Sequence, residues 1–253
     1  MFDGRKSDEG LCDGPPDFVG VGAQRAGTTW WYSLITAHPG VEAFPQKECH
    51  FFDTFCDRPF DAEDVQRYRA QFRRSPGTIT GEWTPRYAYD FWTPQLLQRA
   101  APNAKILFLL RNPIERYRSG LALLDRQGLP RSSPEFATFA GDAAHRGRYA
   151  EQLRRLRNYF PAEQILVLQY ERCQESPVTE LRRTYAFLGL DDWSHEVDVR
   201  EPRGIPSAES KPELTDAVRD ELVFHLERDV DELKTIAPQI ELDRWPEFAH
   251  LLG

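Results

Sequence analysis

The chain has 253 residues with a formal net charge of −8, and 40% of the residues are hydrophobic and 28% charged. These values predict one globular unit with a substantial core, and the negative charge argues against whole-surface attraction to nucleic acid or anionic lipid. Because the longest apolar run, Ile106–Leu110, is far shorter than the roughly 20 residues of a membrane span and the first ten residues contain no apolar signal-peptide core, we expect a cytoplasmic protein without a membrane span.

Residues 1–16 are polar and interrupted by glycine and proline, which predicts a flexible leader that ends at Pro15-Pro16. No linker rich in proline, glycine or serine follows, so residues 17–253 form one predicted domain. The four cysteines lack the close pairing of a zinc or redox motif. We therefore expect reduced thiols and no metal site.

Short apolar strands alternate with amphipathic helices along the chain. The predicted strands are 18–21, 79–83, 104–110 and 164–170, and the predicted helices are 28–38, 61–72, 93–99, a segment that begins at 113, 149–160, 176–190 and one or two helices in 211–236. This alternation predicts an α/β fold, a P-loop-like three-layer sandwich with a central parallel sheet flanked by helices. In such a fold, ligands bind beyond the carboxyl ends of the strands.

The loop after the first strand has the two-glycine spacing of a phosphate-binding Walker A loop, from Gly22 to Thr29. Its backbone N–H groups and the following helix N-terminus would surround a phosphate. Thr28 stands where a Walker A loop has lysine, so Arg25 is the candidate cation and Thr28 and Thr29 add hydroxyl donors. By itself, the same pattern is equally typical of a tight strand-to-helix turn.

A second basic turn follows the strand 104–110. Arg111 lies at the carboxyl end of this strand, Pro113 begins a helix, and Arg116 and Ser119 share one helical face. An arginine at a strand end and a serine on the next helix are well placed to bind one phosphate from two sides. Arg118 and Arg126 fit a solvated helix face.

Both basic turns, in this order and on these elements, resemble those of the sulfotransferases that use 3′-phosphoadenylyl sulfate (PAPS), in their bacterial and heparan-sulfate-type branches. The resemblance extends from Phe18 onward. It implies that the 5′-phosphosulfate lies on the first loop and that Arg111 and Ser119 bind the 3′-phosphate. The residues so assigned to the donor are Arg25, Ala26, Gly27, Thr28, Thr29, Trp30, Arg111, Ser119, Arg203 and Gly204, the last two from a late basic loop.

Arg25 is a departure from many members of this family, which have lysine at its position. An arginine keeps the positive charge but does not donate a proton at neutral pH. Arg25 can therefore replace the lysine as an electrostatic partner of the sulfate, and not as an acid.

The segment Lys47–Asp53 resembles the acceptor side of the same family. Transfer to a hydroxyl needs a base, and Glu48 and His50 are the candidates; on an extended segment both would point to one side and Lys47 to the other. We expect Glu48 to be the base, with His50 as its support and Asp53 as a group that orients His50 or is structural. The predicted acceptor-binding residues are Lys47, Trp83, Arg86 and Tyr87, although aromatic side chains at such positions are as often in a core.

The resemblance predicts a metal-independent enzyme that transfers the sulfuryl group of PAPS in line to a hydroxyl, less readily an amine, of a small-molecule or carbohydrate acceptor, and releases adenosine 3′,5′-bisphosphate. Two alternatives share the first loop. A small-molecule kinase would need the lysine that the loop lacks and a magnesium ion. A non-catalytic nucleotide-binding protein would have no need of Glu48 and His50.

Overall fold

The structure is a computed structural model and describes residues 11–200 and 211–252. Its strands are β1 (Cys12–Asp13), β2 (Phe18–Gly22), β3 (Val41–Ala43), β4 (Arg73–Arg74), β5 (Ile79–Trp83), β6 (Lys105–Leu110) and β7 (Ile165–Gln169). Its α-helices are α1 (Thr28–Thr36), α2 (Ala62–Arg69), α3 (Thr93–Ala100), α4 (Pro113–Arg126), α5 (Pro134–His145), α6 (Tyr149–Arg157), α7 (Tyr170–Glu175), α8 (Pro177–Leu188) and α9 (Asp216–Ile236). Short 3₁₀ helices cover Phe51–Thr54, Ala162–Gln164, Leu242–Arg244 and Pro246–Leu252.

A five-stranded parallel sheet in the order β3-β5-β2-β6-β7 forms the centre of the fold. The first long strand, β2, lies in the middle, and every residue of it is buried, as the run Phe18–Gly22 predicts. Helices flank the sheet, so the predicted fold class is confirmed. Because β5, β2 and β6 are adjacent and parallel, the three loops that follow them meet at one edge of the sheet.

Local sequence signals explain where the helices near this edge begin. The Asn112 side chain accepts hydrogen bonds from the backbone N–H groups of Ile114 and Glu115, and Pro113 occupies the first helical position, so α4 begins directly after β6. Helix α2 begins with a reciprocal capping box between Asp61 and Asp64. The strand and helix bounds agree with the sequence prediction to within a few residues.

The structure differs from the sequence prediction at α5 and at β1, and it agrees with the prediction of one or two helices in residues 211–236. Helix α5 was not predicted, because three of the four residues on its apolar face, Phe136, Ala140, Ala143 and Ala144, are alanines, which give only a weak apolar pattern. Strand β1 pairs with β4, and Asp13 forms an ion pair with Arg73, so residues 12–13 are attached to the fold although the predicted leader extends to residue 16. Residues 211–236 contain one long helix, α9.

Helices α4 and α9 are the longest of the described helices. No helix in residues 11–200 and 211–252 is both long and apolar enough to cross a membrane.

Candidate functional site

The glycine loop turns directly from β2 into α1 at the sheet edge. Gly27 caps α1 with φ 86°, a left-handed conformation that favours glycine. A Cβ atom there would lie 2.7 Å from two ring carbons of Tyr170, so only glycine lets the loop pack against this ring. The loop and the N-terminus of α1 therefore form a close-fitting cradle, the geometry that phosphate-binding loops use.

Arg25 connects the two basic turns. Its Nε donates a hydrogen bond to Ser119 Oγ over 3.0 Å, and its carbonyl oxygen accepts one from Arg111 Nη1 over 3.2 Å. Burial, together with the nearby charges of Arg126 and Arg111, lowers the pKa of the Arg25 guanidinium. An anion bound between Arg25 and Arg111 would reduce the repulsion between the two guanidinium groups, which is one cause of the lowered pKa.

The second basic turn presents Arg111 and Ser119 to the same space. The Arg111 guanidinium carbon lies 4.5 Å from the centre of the Tyr170 ring, and Ser119 is only 2% exposed. Arg116, which shares a helical face with Ser119, is 1% exposed and donates to the carbonyl oxygen of Ala143. Arg116 thus belongs to the packing between α4 and α5.

Glu48, His50 and Asp53 form a connected group of side chains. Glu48 Oε2 lies 3.2 Å from His50 Nε2, and Asp53 Oδ2 lies 2.9 Å from His50 Nδ1. Because a carboxylate only accepts hydrogen bonds, a proton must lie on the ring or on the carboxyl group in each contact. The predicted proximity of Glu48 and His50 agrees with the structure, and so does the contact of Asp53 with His50.

Lys47 does not point away from Glu48, as an extended segment would require. Its Nζ donates to Glu48 Oε1 over 2.7 Å and to Thr28 Oγ1 over 3.4 Å. The reason is that the segment is not extended throughout, because residues 45–47 form a bend. Lys47 therefore lies beside the glycine loop, on the side predicted for the donor.

The segment that carries Glu48 and His50 is held by the end of β5. The backbone N–H groups of Cys49 and His50 donate to Thr84 Oγ1 over 3.0 and 3.3 Å. Thr84 in turn donates to Glu82, a fully buried carboxyl group that also accepts from Tyr68. Burial raises the pKa of Glu82 to about 7.

One cavity of about 360 Å³, called the first cavity below, brings these groups together. It is lined by Gln24, Arg25, Gly27, Thr28, Thr29, Trp30, Glu48, His50, Asp53, Pro85, Arg86, Arg111, Ser119, Leu123 and Arg146. The loop glycine, two basic turns and the Glu48–His50 pair thus face a common space, as expected from their positions in the sequence.

Three residues predicted to bind ligands lie in the core instead. Trp83 and Tyr87 are 0% exposed; the Trp83 ring packs on Gly20 and donates to Gly22 O over 3.2 Å, and the Tyr87 hydroxyl accepts from Phe51 N. The Ala26 side chain is buried, and its N–H donates to Ala23 O over 3.1 Å. Trp83 and Tyr87 therefore do not line the first cavity as predicted, because they pack beneath the loops, whereas the assignment of Ala26 to the donor stays a prediction.

Arg146 is a site residue that was not predicted; it lines the first cavity from the end of α5 and donates to Asp142. Its helix carries no motif and only a weak apolar pattern, so no sequence signal pointed to it. Arg203 and Gly204, assigned to the donor, lie outside the described residues. Across residues 11–200 and 211–252 no group of three or more histidine, cysteine, aspartate or glutamate side chains has an arrangement able to hold a metal ion.

Comparison with known proteins gives a consistent result. A family model described as a sulfotransferase domain matches residues 15–208. The chain is 32% identical to heparan sulfate glucosamine 3-O-sulfotransferase 6 of Mus musculus over 69% of this chain and 52% of that protein, and 29% identical to heparan sulfate glucosamine 3-O-sulfotransferase 3B1 of Homo sapiens over 69% and 46%. The chain thus spans about half the length of the curated relatives it matches.

Solved structures show the same likeness. A sulfotransferase from Alicyclobacillus acidocaldarius superposes with a TM-score of 0.72 at 26% identity and covers 91% of this chain and 98% of its own. A sulfotransferase domain from the curacin biosynthetic pathway superposes with a TM-score of 0.54 at 15% identity, over 95% of this chain and 98% of that domain, a likeness of fold alone.

Proposed function

Because the chain belongs to the sulfotransferase family, we propose that it transfers the sulfuryl group of PAPS to a hydroxyl group of an acceptor. The observation that carries this proposal is the first cavity, where both basic turns and the Glu48–His50 pair face one space. A donor with phosphates at two positions and an acceptor that must lose a proton call for this combination of groups.

The donor would lie across the two basic turns. The glycine loop, Thr28 and Thr29 hold the 5′-phosphosulfate, while Arg111 and Ser119 hold the 3′-phosphate. Arg25, already bonded to Ser119, lies between the two phosphates and neutralises charge on both. Lys47 is reassigned from the acceptor to the donor, since its ammonium group lies beside Thr28.

Transfer would proceed in line. The acceptor oxygen attacks sulfur, the bond from sulfur to the bridging phosphate oxygen breaks, and the acceptor proton moves to Glu48. Adenosine 3′,5′-bisphosphate leaves with the additional negative charge, which Lys47, Arg25 and the loop N–H groups stabilise. His50, held by Asp53, orients Glu48. None of these steps requires a metal ion.

For the acceptor we propose a small molecule or a carbohydrate with a free hydroxyl. The curated relatives are named for heparan sulfate glucosamine, a carbohydrate. Neither nucleic acid nor a membrane takes part in the proposed reaction, and the cytoplasmic location stays a prediction.

Two labelled donors test the function. The protein is incubated with a panel of hydroxyl compounds and either PAPS labelled in its sulfur or ATP labelled in its γ-phosphate with magnesium. We expect label to pass to an acceptor from PAPS alone, with adenosine 3′,5′-bisphosphate formed in equal amount. Transfer of the γ-phosphate from ATP would identify a kinase instead, and label transfer from neither donor across the panel would favour a binding protein.

A further inference from the structure

A second cavity, of about 400 Å³, lies beside the first cavity and shares Arg86 with it. The segment after β5 contributes Tyr89, Phe91 and Trp92 to its wall, and α6 with the turn before it contributes Arg148 and Arg155. The proposed binding of the donor uses none of these residues. The two cavities therefore adjoin at the Arg86 side chain, which lines both of them.

The volume of the first cavity leaves the acceptor little room beside the donor. At about 360 Å³ it is near the lower end of the roughly 300–1,000 Å³ that protein pockets use for one small ligand. With PAPS bound along the two basic turns, the part of this cavity left for the acceptor is the space at Glu48 and His50, where the reacting hydroxyl enters. The remainder of the acceptor must therefore lie in adjoining space, which the second cavity supplies.

The arginines that line the second cavity differ in how completely their positive charges are neutralised. Arg155 is fully engaged, because it donates to the carbonyl oxygen of Tyr89 over 2.9 Å and to Glu151 Oε1 over 2.6 Å. Arg86 donates through Nε to Asp90 over 2.7 Å. Arg148 differs, because no carboxylate of the described residues, 11–200 and 211–252, lies within 4 Å of its guanidinium.

The partner of Arg148 is the imidazole of His225, whose Nε2 must be the acceptor because a guanidinium only donates. Arg148 Nη2 donates to His225 Nε2 over 3.2 Å, and burial together with the charge of Arg148 lowers the pKa of His225. A neutral imidazole accepts this hydrogen bond and leaves the arginine charge uncompensated. Arg148 is half-buried on the cavity wall, so a ligand carboxylate or sulfate would gain a charge-assisted hydrogen bond there.

The second cavity also has an exposed aromatic surface. Phe91 is 68% exposed and meets the edge of Trp92 with ring centres 5.0 Å apart. The Trp92 ring is fixed, because its N–H donates to Phe52 O over 2.9 Å. Such a surface gains free energy by packing against the apolar face of a phenyl or sugar ring.

We propose that the second cavity binds the acceptor, and that this acceptor is a compact ring-bearing hydroxyl compound with one anionic group. The anionic group binds Arg148, the ring packs on Phe91 and Trp92, and the hydroxyl passes Arg86 to reach Glu48. This assignment rests on the proposed function, because it takes the first cavity to hold the donor. The assignment predicts that neutral alcohols of the same size bind less tightly than the acceptor.

The test uses two matched pairs of probes on protein saturated with adenosine 3′,5′-bisphosphate. One pair is 3-(4-hydroxyphenyl)propionate and its amide, and the other is methyl β-D-glucuronoside and methyl β-D-glucoside. Affinities are measured by ligand-observed NMR for the natural protein, Arg148→Gln and Phe91→Ala. The control is Arg154→Gln on α6, the helix that follows Arg148, where the arginine pairs with Glu232 away from both cavities.

We expect at least one anionic probe to bind tenfold or more tightly than its neutral partner. Arg148→Gln should remove this preference, Arg154→Gln should keep it, and Phe91→Ala should weaken both members of the pair alike. Equal binding within both pairs, a preference that survives in Arg148→Gln, or no binding of any probe would overturn the assignment. Adenosine 3′,5′-bisphosphate binding is measured in the same samples, so its absence would show that the proposed function has failed instead.

Discussion

Arg25 occupies the point in the site where the two basic turns touch. Its hydrogen bond to Ser119 and the contact of Arg111 with its carbonyl oxygen put a single guanidinium between the positions that we propose for the two phosphates. The loop lacks a lysine, but Lys47 brings an ammonium group to Thr28 from a different segment. The charge expected at this loop is therefore supplied by two residues, and the role of each stays a proposal.

Glu48→Gln tests the proposed base. The amide keeps the size of the side chain and loses the ability to take a proton, so turnover should fall by about 10²–10⁴-fold. Affinity for adenosine 3′,5′-bisphosphate should change far less than turnover, because the base acts on the acceptor and the glutamine oxygen still accepts from Lys47. Steady-state kinetics and calorimetry measure the two quantities, with Glu63→Gln on the surface of α2 as the control. Unchanged turnover in Glu48→Gln would transfer the role to His50.

Ser119→Ala tests the proposed 3′-phosphate contact. Loss of one hydrogen bond to a charged group should weaken adenosine 3′,5′-bisphosphate binding by about 10–100-fold. Binding of adenosine 5′-monophosphate should change little, because this nucleotide has no 3′-phosphate. Titration calorimetry with both nucleotides gives the comparison, and an equal loss for both would place Ser119 away from the 3′-phosphate.

At the scale of elements, the sequence predicts the parts of the site that depend on chain order. β2, β5 and β6 are recognisable as apolar runs, and parallel pairing brings the loops after them to one edge. The orientation of individual side chains is less predictable. Trp83 packs inward on Gly20, and His50 adopts a positive φ that bends its segment. Neither feature is indicated by the residues next to it in the sequence.

Helix α5 shows a second limit of prediction from sequence. It contributes Arg146 to the first cavity, yet few of its positions are buried and its apolar face consists mostly of alanines, which give a weak sequence signal. A side chain that reaches the site from such a helix becomes visible only when the tertiary packing is known.

Gly27→Ala tests the fit of the glycine loop against Tyr170. Gly77→Ala is the matched control, because Gly77 has a similar φ of 82° but no atoms within 4 Å of an added Cβ. Both changes should cost about 1–2 kcal/mol for the left-handed backbone. Gly27→Ala should lose about 1–3 kcal/mol more through the clash with the ring, and also lose nucleotide affinity. Chemical unfolding measures the difference, and equal losses with intact nucleotide binding would contradict the packing described here.

At the scale of the whole molecule, Glu82 makes stability depend on pH. Its carboxyl group keeps its proton in the folded state up to a pH of about 7, whereas in the unfolded state it ionises near its ordinary pKa of 4.5. The unfolded chain therefore releases this proton first, and stability falls as pH rises from about 4.5 to 7. The shift corresponds to a cost on the order of 3 kcal/mol above pH 7.

Glu82→Gln removes this pH dependence, because glutamine does not ionise. The stability of Glu82→Gln relative to the natural protein should therefore rise between pH 5 and pH 8. Denaturant unfolding at both pH values measures the change, and Glu163→Gln, an exposed carboxyl group, should show none. A stability difference that is the same at both pH values would show that Glu82 is ionised in the folded protein at pH 5.

The central claim, a binding site for a donor with phosphates at the 3′ and 5′ positions, is tested most directly by titration calorimetry of the natural protein. Adenosine 3′,5′-bisphosphate without metal is compared with ATP and magnesium under the same conditions. The two-sided arrangement of Arg25, Arg111 and Ser119 predicts that adenosine 3′,5′-bisphosphate binds at least tenfold more tightly. Tighter binding of ATP with magnesium would contradict the account.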